Sequence, residues 1–230
     1  MNIKQTYDDE AGIYEQTSRA VNIYFDESLD KLVSLLKLKK GMRVLDVCCG
    51  TGILTQKIFE KYPDVQIIGV DFSEGMMAVA NERLAGYNFA SFNSDICYEK
   101  RMKLLNGDFD VVVSSFGIHN IHGFKNKEKG IKNVVSLLKN GGKYYTCDLL
   151  KGDTKEIEEQ WQNFQYQWLL KTYEVAQAEA WMRMLKEEDD KETYDKNKQL
   201  LELAGLENIE KVWQKEFLAI WTGTKIKKED

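Results

Sequence analysis

The sequence predicts an α/β protein, an open and mostly parallel sheet covered by helices and ending in an antiparallel pair. Three observations carry that expectation. Short apolar runs alternate with segments of helical spacing along most of the chain. Glycine, proline or polar turns separate them. The last two apolar runs lie too close together for a crossover helix and read as a hairpin.

The elements follow in order. Leu29, Leu32, Val33, Leu35 and Leu36 share one helical face, which ends before Gly41, and Arg43 to Val47 (RVLDV) reads as the first strand. Gly50 to Gly52 is its turn, and a helix over 53–61 stops at Pro63 and Asp64. Val65 to Val70 is the second strand, and Ser73 is a natural N-cap for the helix carrying Met76, Met77, Val79, Ala80 and Leu84. Phe89 to Asn93 makes a weak third strand, and Phe109 to Ser114, rich in β-branched residues, a strong fourth one. Ile131, Val134, Val135 and Leu138 form a helical stripe that Asn140-Gly141-Gly142 terminates, and Lys143 to Cys147 is the fifth strand.

From Thr154 to Lys191 the pattern turns helical and aromatic, with Trp161, Phe164, Tyr166, Trp168, Tyr173 and Trp181, and an acidic break at Glu187 to Asp190. It reads as an inserted helical cap whose aromatic side chains suit either packing or the wall of a substrate pocket. A last helix near Thr193 to Ala204 ends at Gly205, before strands at 209–213 and 217–224. The expected organisation is one domain: an N-terminal helical arm (1–40), a core (41–150), the cap (151–192), then the last helix and hairpin (193–224). The closing KIKKED is expected to fray.

Composition narrows the function. Of 230 residues, 32 are Lys or Arg and 37 Asp or Glu, a net charge of -5. That sign disfavours a partner held mainly through phosphate contacts, so a small-molecule ligand is expected and nucleic acid is not. No apolar run approaches the roughly 18–20 residues of a membrane span, and the first ten residues lack a secretory pattern, so a cytoplasmic monomer or homodimer is expected. Cys48, Cys49, Cys97 and Cys147 lack the spacing of a zinc site and read as reduced thiols, with no metal expected.

In open α/β sheets ligands sit beyond the carboxyl ends of the strands, where the chain turns into helices. After the first strand comes Asp46-Val47-Cys48-Cys49-Gly50-Thr51-Gly52, whose Gly50 and Gly52 let backbone approach a ligand at a helix N-terminus. The second strand ends in Asp71, nineteen residues past Gly52, a separation suited to a carboxylate accepting both hydroxyls of a ribose. The third glycine of a dinucleotide site is missing, and Asp46 would repel a pyrophosphate. A cofactor with a ribose, an ammonium group and no phosphates fits better, and S-adenosylmethionine has that chemistry.

At this point the chain resembles the class I S-adenosylmethionine-dependent methyltransferases over nearly its whole length. Val44 to Gly52 is similar to their first motif, and Gly69-Val70-Asp71-Phe72-Ser73 with Met76 to their second. Ser94-Asp95-Ile96 resembles their adenine-reading turn, Asp110 to Ser115 their fourth-strand motif, and Leu138 to Tyr145 the segment entering strand five. Cys48 stands where the first glycine usually does, as in menaquinone-type members. The resemblance implies a Rossmann-like seven-stranded sheet and S-adenosyl-L-methionine as cofactor. It implies cofactor contacts from Tyr14, Arg19, Asp46, Cys48, Gly50, Gly52, Asp71, Phe72, Met76, Asp95, Ile96 and Ser114.

His119 and His122 are the only histidines, both just past strand four. His119 is the candidate general base, since an unperturbed imidazole titrates near pH 6.5. Ser114-Ser115-Phe116-Gly117 lacks the Pro-Pro signature of adenine or glutamine amino-group methylation, and there is no Pro-Cys nucleophile. The expected activity is methylation of a small molecule. The alternatives are a transfer-RNA-pathway enzyme such as a carboxy-S-adenosylmethionine synthase, whose layout is similar, and a non-catalytic cofactor-binding module.

Overall fold

The computed structural model describes residues 3–226; most of the closing KIKKED segment lies outside them. Three helices form the arm, α1 (Ile3–Glu10), α2 (Tyr14–Val21) and α3 (Phe25–Leu35). Then come β1 (Arg43–Val47), α4 (Ile53–Lys61), β2 (Gln66–Asp71), α5 (Glu74–Arg83), β3 (Phe89–Asn93) and the one-turn α6 (Glu99–Met102). The second half runs β4 (Phe109–Ser115), α7 (Phe124–Ser136), β5 (Leu138–Leu149), α8 (Lys155–Leu169), α9 (Val175–Glu188), α10 (Tyr194–Leu203), β6 (Leu206–Lys215) and β7 (Leu218–Lys225).

The strands form one sheet in the order β3-β2-β1-β4-β5-β7-β6. The first five are mutually parallel, and β7 runs antiparallel to both of its neighbours. The strand order reverses between β1 and β4, which opens a crevice at their carboxyl ends. Side-chain character explains why β7 and not β6 lies inside. Leu218 to Gly223 are buried on both faces, whereas β6 carries Glu207, Glu210, Lys211 and Lys215 and takes the edge.

Each sheet face buries its own apolar layer. One packs Leu29, Leu32 and Leu36 of the arm and Ile58 and Phe59 of α4 against Val44, Ile67 and Val113. The other packs Ile131, Val134 and Val135 of α7 and Leu200 and Leu201 of α10 against Leu45, Val112, Tyr144 and Trp221.

Two expectations are corrected. Asn140-Gly141-Gly142 does not end a helix: α7 stops at Ser136, and β5 already pairs Leu138 with Phe109. The register shifts between Phe109 and Val111, and Gly141, at φ 79°, provides the left-handed residue of that irregularity. The strand also continues past Cys147 to Leu149, which brings Asp148 into the sheet.

The cap is a helical pair, α8 and α9, whose aromatic residues pack. Trp161 reaches both core layers, Phe164 stacks on Tyr24, and Gln165 and Trp168 donate to the carbonyls of Val21 (3.0 Å) and Ala20 (3.1 Å) at the end of α2. The return from the cap is pinned by Lys127 of α7. Its ammonium is buried and sits 3.3 Å from the Asp190 carboxylate and 3.7 Å from that of Glu192.

Candidate functional site

Beside the reversal point lies a cavity of about 500 Å³, the size range of a site for one small organic ligand. Its floor is the loop after β1. Cys48 and Gly50 line it, both with left-handed backbone, at φ 56° and 52°. A side chain built at Gly50 would meet nothing within 4 Å, so its glycine leaves an open approach to the backbone. Gly117, after β4, is needed for the opposite reason, since a Cβ there would stand 2.3 Å from that of Cys48. Gly117 thus lets the loop after β4 close on Cys48 of the loop after β1.

Asp71 closes β2 at the cavity wall and is nearly buried. Its carboxylate accepts from the Gly50 amide (2.9 Å) and the Ser73 amide (2.9 Å), fixing its orientation. Burial pushes its pKa up, against those backbone hydrogen bonds. A carboxylate has about four acceptor positions, so acceptor capacity remains for a ligand's hydroxyl groups. Val70, Phe72, Met76 and Ile96 supply an apolar slot next to it. At the rim, Asp95 accepts from the Cys97 amide (2.7 Å) and keeps further acceptor capacity.

The roof is the N-terminal arm. Lys4, Tyr7 and Tyr14 line the cavity, and Tyr7 meets Phe72 edge to face with centroids 6.0 Å apart. Burial pushes the Tyr14 phenol up to about 12, so it stays protonated at neutral pH. Two acidic residues fasten the arm. Asp8 accepts from Ser73 Oγ (2.7 Å) and the Gly75 amide (2.9 Å) at the start of α5, and those bonds hold its carboxyl well below the usual range. Glu15 accepts from Thr51 Oγ1 (2.8 Å) and pairs with Arg83 (2.5 Å).

Of the residues expected at the cofactor, Tyr14, Cys48, Gly50, Asp71, Phe72, Met76, Asp95 and Ile96 therefore surround one cavity. Four others do not reach its wall. Arg19 points away from it and pairs with Glu15 (3.3 Å) and Asp26 (2.8 Å) on the outer side of the arm. Gly52 is the left-handed N-cap of α4, and its α-carbon faces Leu84 and Ala80. Ser114 lies fully buried in the sheet between Val47 and Thr146. Asp46 is fully buried beneath the loop, where it accepts from Thr55 Oγ1 (2.6 Å), and burial pushes its carboxyl up to about 7.

The candidate base, His119, is also outside the wall. Its Nδ1 is bonded to the Asp148 carboxylate, which accepts as well from the amides of Ile118 (2.9 Å) and His119 (3.2 Å). Burial is the largest influence and disfavours the imidazolium, but the charge and hydrogen bond of Asp148 together with the charge of Asp189 leave the His119 pKa raised. This pair anchors the loop after β4, whose Phe116, Asn120, Ile121 and His122 do line the cavity. Sequence reasoning missed Lys4, Asn120, Asn126 and the role of Asp148. The last had a signal, an acidic residue directly after a strand of apolar character.

Comparison with known proteins assigns the family. Residues 38–205 match the sequence profile of a methyltransferase domain family. The chain belongs to that methyltransferase family. A ubiquinone/menaquinone biosynthesis C-methyltransferase of Geobacter sulfurreducens is 31% identical over 61% of this chain and 55% of its own. A carboxy-S-adenosyl-L-methionine synthase of Campylobacter fetus is 28% identical over 87% of this chain and 85% of its own. An O-methyltransferase family protein from Burkholderia thailandensis shares the Rossmann-like fold at TM-score 0.69 and 13% identity, over 95% of this chain and 60% of that one. The chain thus spans little more than half the length of the first of these relatives.

S-adenosyl-L-methionine is the methyl donor of this family. The residues present fit it: an oriented carboxylate for a ribose, an apolar slot with Asp95 at its rim for a base, and an open glycine backbone. Among the described residues no helix is long and apolar enough to cross a membrane.

Proposed function

We propose that this methyltransferase moves the methyl group of S-adenosyl-L-methionine to a small, mainly apolar molecule of the quinone or phenol class. The observation that carries the proposal is Asp71, held by two backbone amides at the wall of a cavity that is otherwise largely apolar. The name of the Geobacter relative supports the acceptor class.

When bound, the cofactor supplies an electrophilic methyl group on a sulfonium. The protein contributes position and exclusion of water. Asp71 and the Gly50 backbone would hold the cofactor, Phe72, Met76 and Ile96 would take its base, and Tyr7 and Tyr14 of the arm would cover it. His122 and Asn120, on the loop anchored by His119, are the polar groups nearest an acceptor arriving from the β4 side.

A carboxy-S-adenosylmethionine synthase must hold a multiply charged organic acid. Among the described residues the cavity wall carries one lysine or arginine, Lys4, which pairs with Asp8 and Glu74, and two carboxylates, Asp71 and Asp95, which disfavours that reading. The test is incubation of the full chain with S-adenosyl-L-methionine and a panel of reduced quinones, phenols and amines, read by mass spectrometry. A product heavier by one methylene unit, with stoichiometric S-adenosylhomocysteine, is expected. Turnover with prephenate and none with the panel would replace the proposal with the synthase.

A further inference from the structure

A second cavity, of about 440 Å³, opens between α8, α9 and the segment returning from the cap. It is linked to the first through side chains of the loop after β4 and of the arm. Asp189 lines it, and the Asp189 carboxylate is 3.7 Å from Nε2 of His119, whose own loop lines the first cavity. Gln165 lines it too, and bonds to the Val21 carbonyl of the helix that begins with Tyr14. No residue lines both cavities, so the second is a distinct space.

Its charge is unbalanced. The lining carries Lys151, Arg183, Lys186 and Lys191 against Glu158, Asp189 and Asp190. All three carboxylates are committed. Glu158 accepts from the Gly152 amide (2.7 Å) and Gln162 (2.9 Å) and faces Lys191 (3.7 Å). Asp189 is shared between His119 and Lys191, and Asp190 is bound to the Gly123 amide (2.6 Å) and Lys127 (3.3 Å). Lys151, Arg183 and Lys186 make no ion pair within 4 Å among the described residues, although the Lys151 charge is felt by Glu158, and the three cations surround one opening. Met182 and Leu185 give the same cavity an apolar side that continues into the cluster around Leu169 and Ala178.

From this we infer that the second cavity binds a small organic carboxylate, its anionic end held by Arg183, Lys186 and Lys151 and its body against Met182 and Leu185. An inorganic ion would leave most of the volume and the apolar side unused. A neutral molecule would gain nothing from the three cations.

The test is titration of the full chain with salicylate, its neutral amide salicylamide, and inorganic phosphate, followed by amide chemical shifts. Salicylate is expected to shift residues 151, 162–165 and 182–191. In the double variant Arg183→Glu, Lys186→Glu its affinity should fall by about tenfold or more, as loss of hydrogen bonds to a charged group predicts. Both positions are exposed, and an unchanged melting temperature reports an intact fold. Salicylamide should bind neither protein, and phosphate more weakly than salicylate. The inference is overturned if wild-type protein does not bind salicylate, if the double variant binds it equally, or if phosphate binds as tightly. Titration of the same samples with S-adenosylhomocysteine reports the cofactor site separately and should be the same for both proteins.

Discussion

Asp71 and Asp46 lie on neighbouring strands, and their different surroundings give them different chemistry. Asp71 faces the cavity with its carboxylate oriented by two amides. Replacing it by alanine is expected to weaken cofactor binding by about 1.5–3 kcal/mol, the range for hydrogen bonds to a charged group. Calorimetry on a variant with an unchanged melting temperature checks this, and wild-type affinity would remove Asp71 from the site. Asp46 faces the interior, and its folded pKa, about 7, lies above the unfolded value of 3.8. The folded state therefore holds a proton that the unfolded state has released between those two values, and stability falls as the pH rises through that window. The loss from this group is up to about 4 kcal/mol, and Asp46→Asn should flatten the slope in urea unfolding of the ligand-free protein between about pH 4 and 7. These two acids also show what was legible at this scale. Spacing put Asp71 at a strand end on the correct side of the sheet. No spacing told that Asp46, Ser114 and His119 turn inward, or that Arg19 turns outward to Asp26, because side-chain direction is decided by packing partners far away in sequence.

The arm is the element on which access to the cavity depends. α1 rests on the start of α5, with the Asp8 backbone so close to Gly75 that an added Cβ would lie 2.6 Å from the Asp8 carbonyl oxygen. Gly75→Ala should therefore displace α1 while leaving the sheet intact. Hydrogen exchange is expected to quicken several-fold over residues 4–10 but not in β1 or β4, and cofactor affinity should drop. Unchanged exchange in that segment would show that the arm is not fastened there. The cap illustrates an ambiguity the sequence left open. Its aromatic residues were compatible with a pocket wall or with packing, and the structure spends Trp161, Phe164 and Trp168 on the core and on the end of α2. Periodicity shows that a helix has an aromatic face, but what that face meets is a tertiary fact.

For the whole molecule, the parallel half of the sheet was legible because each strand is a short apolar run flanked by turn residues and followed by a helical pattern. The order of the final pair was not assigned in advance, although a signal exists in the unbroken apolar run of β7 against the alternating charges of β6. The placement predicts unequal costs. Trp221→Ala, in the interior strand and 2% exposed, should destabilise the protein by about 3–5 kcal/mol. Val212→Ala on the edge should cost about 1 kcal/mol or less in the same urea titration. Equal costs would contradict the interior position of β7. The burial of this hairpin also completes the frame on which the β1 and β4 loops, and so the cavity, are held.

The central claim is that the cavity beside β1 and β4 holds S-adenosyl-L-methionine. The most direct test is calorimetric titration of the full chain with S-adenosyl-L-methionine and S-adenosylhomocysteine, with Asp71→Ala alongside. Micromolar binding of both by the wild type, markedly weakened in the variant, is the predicted result; absence of binding by folded wild-type protein would contradict the account.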